Sequence, residues 1–302
     1  MAKISFKERW QEAVDKKNSV LCAGIDPAGF GMGRGDKGLP KGVKKMEWTE
    51  KYIRAVAPYV AAVKPNLQYW KGIGGMLALR EIYDIAQEYG LVVIDDSKLA
   101  DIGSTNDAGI YHASYRADAV TFSPFAGNLE EAVNQAHKRD LGLIPMVLMS
   151  NPEYEREKNK LVRVTHEEGY RRRDVLFLDS EEESARESDY VRQYVQLAHD
   201  AAMFGADAVV IGAPSKKNHI TSEEIAAVHR YVQNICLGLV PGVGEQGGEA
   251  RELWKLFGKN DLIVNVGRGL MFPNGSGSTE KEQAEKAKYY MEMLNEARAK
   301  AA

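Results

Sequence analysis

The chain is short of several things, and each shortage narrows the reading. Among its 302 residues are two cysteines, Cys22 and Cys236, each inside an apolar run and at no metal-ligand spacing. That argues against a disulfide-stapled scaffold or a thiolate zinc site and reads as two core thiols in a reducing compartment. No apolar run approaches the ~18 residues of a membrane span, and the N-terminal MAKISFKERWQEAV is polar and amphipathic, with no signal-peptide apolar core. A soluble, cytoplasmic protein is expected. Neither charge sign dominates: 40 Lys+Arg against 43 Asp+Glu leave a net charge of −3. No global field then points to nucleic acid or an anionic membrane as partner. The basic cluster Arg171-Arg172-Arg173 is too local to alter that. Low-complexity tracts and obvious internal repeats are also missing.

What is present is a recurring short apolar run. SVLCAGI (19–25), YVAAVKP (59–65), GLVVID (90–95), ADAVTF (117–122), LGLIPMVLM (141–149), ADAVVIG (206–212), ICLGLV (235–240) and DLIVNV (261–266) are near-continuous rather than alternating. That is the pattern of parallel strands covered on both faces. Helical patterns lie between them, among them WTEKYIRAVAP, GMLALREIYDIAQEYG, NDAGIYHASYR, NLEEAVNQAHK, SDYVRQYVQLAHDAAMFG, TSEEIAAVHRYVQ and GGEARELWKLFG, with TEKEQAEKAKYYMEMLNEARAKAA closing the chain. Such units predict an α/β fold, a (β/α)8 TIM barrel in a single domain spanning 1–302. A doubly wound open sheet is the alternative. Two connections are long: the Gly-rich, basic 26–46 and the mixed-charge 150–187. Loops beyond ~12–15 residues are usually functional or disordered, and in a barrel both would sit on the catalytic face. The plainer reading of 150–187 is a solvated insertion.

One segment, DDSKLADIGST (95–105), sets three acids and a lysine within seven positions at the end of a core strand. Asp96 and Lys98, two apart, share a face if the strand runs that far. A lysine among acids stays protonated, which makes it a poor Schiff-base nucleophile but a good fixed cation and proton donor. Alone, the cluster reads equally as a surface ion-pair network. The first strand, however, ends at Asp26 and the second at Lys64 and Asn66. In a barrel those ends converge on one mouth. After the seventh run comes VPGVGEQGGEA (240–250), and after the eighth VGRGL (266–270) with Arg268 between glycines. Barrels commonly bind phosphate with these two loops, and arginine's fork of donors suits it.

With these residues the chain resembles the orotidine 5′-monophosphate decarboxylase family. The family's D-x-K-x-x-D-I signature stands as Asp96-Ser97-Lys98-Leu99-Ala100-Asp101-Ile102, its strand-2 lysine as Lys64 and its strand-1 aspartate as Asp26. Its phosphate loop runs from Pro241-Gly242 through Gln246 to Gly248, and its closing GR is Gly267-Arg268. The long loops resemble the longer, type 2-like branch. The resemblance implies a homodimer without metal or cofactor that converts orotidine 5′-monophosphate to UMP in pyrimidine biosynthesis. It implies Lys64, Asp96 and Lys98 as catalytic residues, joined by Asp101 of the partner subunit, whose Ile102 and Thr105 also line the site. Asp26 and Lys64 would contact the ribose with Asn66 assisting, Ser150 would read the pyrimidine edge, and Gln246 and Arg268 would hold the 5′-phosphate beside Pro241 and Gly267.

Loss of CO₂ from this substrate leaves a carbanion at C6 with no adjacent carbonyl to delocalise it. An ammonium fixed at C6, here Lys98, stabilises the charge and then protonates it. Two rivals stand beside this. A Mg²⁺-dependent sugar-phosphate decarboxylase or aldolase of the same superfamily would need further acids, whereas strand 2 ends KPN. A non-catalytic phosphate-ligand sensor would not need the complete Lys64, Asp96, Lys98 and Asp101 set. His112, His137, His199 and His229 lie on helical patterns and read as ordinary surface or core residues, and Trp70 reads as core packing.

Overall fold

The computed structural model describes residues 4–72, 74–176, 189–243 and 250–300. The chain runs α1 (Phe6–Lys17), β1 (Leu21–Ile25), α2 (Lys45–Val56), β2 (Ala62–Pro65), α3 (Gly75–Glu88), β3 (Val92–Leu99), α4 (Gly103–Ala113), β4 (Ala119–Phe122), α5 (Leu129–His137) and β5 (Gly142–Leu148). It continues through α6 (Tyr154–Lys158), β6 (Leu161–Val164), β7 (Asp189–Arg192), α7 (Gln193–Met203), β8 (Ala208–Ile211), α8 (Ser222–Val232), β9 (Leu237–Val240), β10 (Leu262–Val266), α9 (Arg268–Met271) and α10 (Glu280–Lys300).

Eight strands close a barrel in the order β1-β10-β9-β8-β5-β4-β3-β2, every neighbouring pair parallel. These are the eight apolar runs of the sequence, and the continuous apolar character has its cause here: β1, β2, β4, β8 and β9 are buried along their whole length. Both faces of each strand are covered, one by the barrel interior and one by the helical ring.

α1 closes the floor. It starts with a Ser5–Glu8 capping box, which satisfies two of the amides left without helical partners. Trp10, fully buried, donates its indole N–H to Asn260 O at 2.8 Å, and Arg9 donates to Asp118 O at 3.0 Å and Asp140 O at 2.9 Å. All three acceptors immediately precede barrel strands, so α1 covers the end where strands enter. The open mouth is the opposite end, where strands leave.

The charged insertion after β5 differs from the expected solvated loop. It holds α6 and β6, and β6 pairs antiparallel with β7, Leu161 opposite Arg192 and Val164 opposite Asp189. The helical pattern read from Ser188 therefore begins with strand, and α7 starts only at Gln193. The signal was a two-residue alternation inside a charged stretch: Val164 and Val191 are buried while Arg163 and Arg192 are exposed. Lys158 ties the insertion down through a buried ion pair with Glu224 at 2.6 Å and a bond to His219 O. Residues 177–188 of the long loop lie outside the described residues. GGEARELWKLFG also departs from the helical expectation. Its described part is a 3-10 helix, Ala250–Lys255, a turn that suits a segment too short to nucleate an α-helix.

Candidate active site

The strand ends at the open mouth surround a cavity of about 340 Å³, within the range of small-molecule sites. Of the residues singled out from sequence, it brings together Asp26, Lys64, Asn66, Asp96, Lys98, Ser150, Pro241, Gly267 and Arg268. Close backbone packing shapes the rim at two glycines. A Cβ on Gly24 would lie 2.9 Å from Gly267 Cα, and one on Gly212 would lie 2.7 Å from Ser150 Cβ. Any side chain at either position would push the site's walls apart.

Asp96 is the hub of the charged wall. Its carboxylate accepts from Lys64 Nζ on one oxygen, and on the other from Lys98 Nζ at 2.5 Å and from Thr121 Oγ1 at 2.9 Å. All three line the cavity, but Lys64 and Asp96 are buried whereas Lys98 is 39% exposed at its side chain, so Lys98 is the more accessible of the two cations. The simple two-residue alternation does not by itself bring Asp96 and Lys98 together. The β3–β4 register slips between Asp95 and Leu99, and Lys98 takes φ 51°. That left-handed backbone is unusual for a residue with a side chain and carries strain of order 1–3 kcal/mol. Thr121 holds it, its hydroxyl accepting the Lys98 N–H at 3.0 Å. Asp95, buried on the other side, accepts from Ser97 Oγ and takes no part in the cavity.

The electrostatics follow from burial against pairing. Burial pushes the Asp96 carboxyl toward neutrality, but Lys64 and Lys98 outweigh it and hold it well below the usual carboxylate range. Burial likewise disfavours charge on Lys64, and Asp96 with Asp26 more than reverses that, raising it above an ordinary lysine. Asp26 differs. Burial raises its carboxyl and Lys64 offsets only part of the effect, and Asp26 Oδ1 has no hydrogen-bond partner among the described residues.

Three site residues from the sequence lie elsewhere. Asp101, Ile102 and Thr105 are exposed and do not line this cavity. Asn106, itself buried, accepts the Asp101 N–H at 3.1 Å and donates to Asp101 O at 2.5 Å, so the turn into α4 is clamped pointing away from its own site. Gln246 lies outside the described residues. Conversely, Thr121, Asn151 and Asn265 line the cavity without having been singled out. Thr121 and Asn265 each left a trace, as lone polar residues inside the apolar runs ADAVTF and DLIVNV. Asn265 Oδ1 is buried without a partner among the described residues, like Asp26 Oδ1.

A closed β/α barrel whose mouth holds a buried Lys–Asp–Lys chain on one wall and an arginine on another belongs to the class of barrel enzymes that act on small anionic molecules. The Orotidine 5′-phosphate decarboxylase / HUMPS family profile matches residues 19–275. The chain is 29% identical over 288 residues to an orotidine 5′-phosphate decarboxylase of Herpetosiphon aurantiacus, covering 93% of this chain and 94% of that one. It is 31% identical over 274 residues to the orotidine 5′-phosphate decarboxylase of a Nocardioides species, covering 86% and 89%. The structure of Leishmania donovani OMP decarboxylase has the same fold, with a TM-score of 0.68 over 98% of this chain and 99% of that one at 21% identity. The chain belongs to the orotidine 5′-phosphate decarboxylase / HUMPS family. No helix among its described residues is long and apolar enough to cross a membrane.

Proposed function

We propose that the chain decarboxylates orotidine 5′-monophosphate to UMP, with Lys98 as the cation that stabilises and then protonates C6. The observation that carries this is the Asp96 carboxylate held between Lys64 and Lys98, with the Lys98 ammonium open to the cavity. The C6–carboxylate bond breaks, CO₂ departs and the electron pair stays on C6. Lys98 Nζ then delivers a proton to C6, giving UMP. Because Lys98 is aimed before substrate arrives, little reorganisation accompanies charge development. Arg268 binds the 5′-phosphate away from the reacting carbon, so remote binding energy can be used to hold the pyrimidine against Lys98. Asp26 and Asn66 take the ribose, and Ser150 takes the pyrimidine edge.

The working form in this reading is a homodimer, in which Asp101 of the partner subunit completes the charge array around Lys98 and the partner's Ile102 and Thr105 close the site. Its support is the outward placement of all three residues together with a nearby set of exposed apolar side chains. Leu77, Tyr111, Tyr115 and Phe125 are each more than half exposed, and Arg80 stacks over Tyr115 to join α3 to the end of α4. Such a surface is costly to leave in water.

Loss of orotidylate absorbance in the presence of purified protein is the direct assay, run with and without EDTA. Full turnover in chelator is expected. Turnover that collapses in EDTA and returns with Mg²⁺ would favour the metal-dependent sugar-phosphate enzyme instead, and no turnover at all would favour a sensor.

A further inference from the structure

A second chamber of about 310 Å³ opens beside the main cavity, lined by Asp26, Ala28, Arg34, Lys37, Tyr69 and Arg268. It shares Asp26 and Arg268 with the site described above, so the two adjoin at the side where Arg268 stands. Its other wall comes from the loop between β1 and α2. That loop is a closed structure rather than a loose tether. Leu39 N–H donates to Ala28 O at 2.8 Å, and both residues are buried, which pins the neck. A compact loop with its ends tied together is an Ω-loop, a form that frequently carries function.

The tip is shaped for two cations. Arg34 caps a 3-10 helix over Gly35–Lys37, closed by Lys37 N–H to Arg34 O at 3.1 Å. Side chains three apart in a 3-10 turn lie on one face, which is why Arg34 and Lys37 reach the same chamber. The tip also packs against the segment after α9. A Cβ on Gly275 would lie 3.4 Å from Asp36 Cβ, so Asp36 packs directly on the segment that follows Arg268 and α9. Among the described residues, three basic side chains from two chain segments and one carboxylate, Asp26, line this polar chamber.

We propose that Arg34 and Lys37 form a second phosphate-binding wall, so that the 5′-phosphate dianion is clamped between the β1–α2 loop and Arg268. The inference rests on the substrate reading above and extends it to residues that no family landmark touches. A dianion matched by several donors in a forked arrangement gains both charge neutralisation and orientation. The loop's two cations stand away from the reacting carbon, because the chamber does not include Lys64, Asp96 or Lys98, and between them they offer an anion what a neutral nucleoside cannot use.

Calorimetric titration of the full-length protein with UMP and with uridine separates this from other roles. In the Arg34→Ala/Lys37→Ala double variant, UMP affinity should fall at least tenfold while uridine affinity stays within twofold. Arg34→Lys should recover most of the loss. Equal weakening of UMP and uridine would overturn the proposal in favour of a loop that merely shapes the pocket, and unchanged UMP affinity would show solvated loop charges. Both variants fall on exposed side chains, and an unchanged melting temperature checks that the fold is intact. Wild-type protein that binds neither UMP nor orotidylate would remove the substrate reading itself, and this inference with it. Wild-type binding with an indifferent double variant would remove only the inference.

Discussion

Two halves of one eleven-residue segment behave in opposite ways. Asp96 and Lys98 are turned inward, sharing a buried network with Lys64 and Thr121. Asp101, Ile102 and Thr105, only a few residues on, are exposed and clamped outward by Asn106. The inner half is preorganised: each charge already has its partner and its aim. The outer half is ordered, with the Asp101 carboxylate accepting only from the neighbouring Ile102 N–H among the described residues, and none of its three side chains lines the cavity. A strand end that bulges and then turns sharply into α4 can supply two sites at once, and the difference between the halves is what a shared dimer site would require.

The strongest test breaks the inner half. In the proposed mechanism Lys98→Ala removes both the cation at C6 and the proton donor, and turnover should fall by at least about 10⁴-fold, combining the usual sizes of the two effects. UMP should still bind, since the proposed phosphate and ribose contacts of Arg268, Asp26 and Asn66 remain. Near-normal turnover would sink the assignment.

Next comes the outer half. Asp101→Asn should lower turnover about 10²- to 10³-fold, the range for loss of one electrostatic partner. Mixing it with Lys98→Ala, unfolding and refolding together, should restore part of the activity, because hybrid dimers then contain one intact site. Absence of any complementation would argue that each chain works alone.

A smaller effect is expected at the hinge between the halves. Thr121→Val keeps shape but deletes the hydroxyl that holds the Lys98 backbone and Asp96 carboxylate. A hydrogen bond to a charged group is worth about 1.5–3 kcal/mol, so kcat should drop roughly tenfold or more with little change in KM. A rise in KM alone would mean that Thr121 touches substrate rather than aims Lys98.

The smallest effect is on stability and has opposite signs at two aspartates. Asp96 has its carboxyl lowered in the fold, so its stabilising contribution is present above the unfolded carboxylate value of about 4 and is lost as pH falls through the folded value. Asp26 is raised, so folded protein binds its proton more tightly and stability falls as pH rises through that window. Asp26→Asn should therefore raise the melting temperature at neutral pH, by about 2–4 °C for each kcal/mol recovered, while weakening nucleotide binding. A variant that melts lower at pH 7 would mean that Asp26 is supported in a way its unpartnered oxygen does not suggest.

Much of this was readable in advance because parallel strands buried on both faces must be apolar throughout. That constraint made eight runs visible, and charges at their ends then stood out. The insertion was harder. Charges on the exposed face of β6 and β7 masked the valines on the buried one, and pairing between residues some 25 apart leaves no local mark. Thr121 and Asn265 were visible as polar exceptions but not interpretable, since a polar residue inside a strand can face either the barrel or the helices.

The sequence alone determined the eight barrel strands, the (β/α)8 class, the Asp–x–Lys–x–x–Asp signature and the glycine-rich segments after the last two barrel strands, because each depends on residue type and order along the chain. Only the tertiary structure decided that Lys98 adopts a left-handed backbone held by Thr121, that Asp101 faces away from its own cavity, and that Arg34 and Lys37 stand across a chamber from Arg268. Those facts depend on register slips and on contacts between distant segments. Such contacts are set by the packing of the whole barrel and not by any local stretch of it.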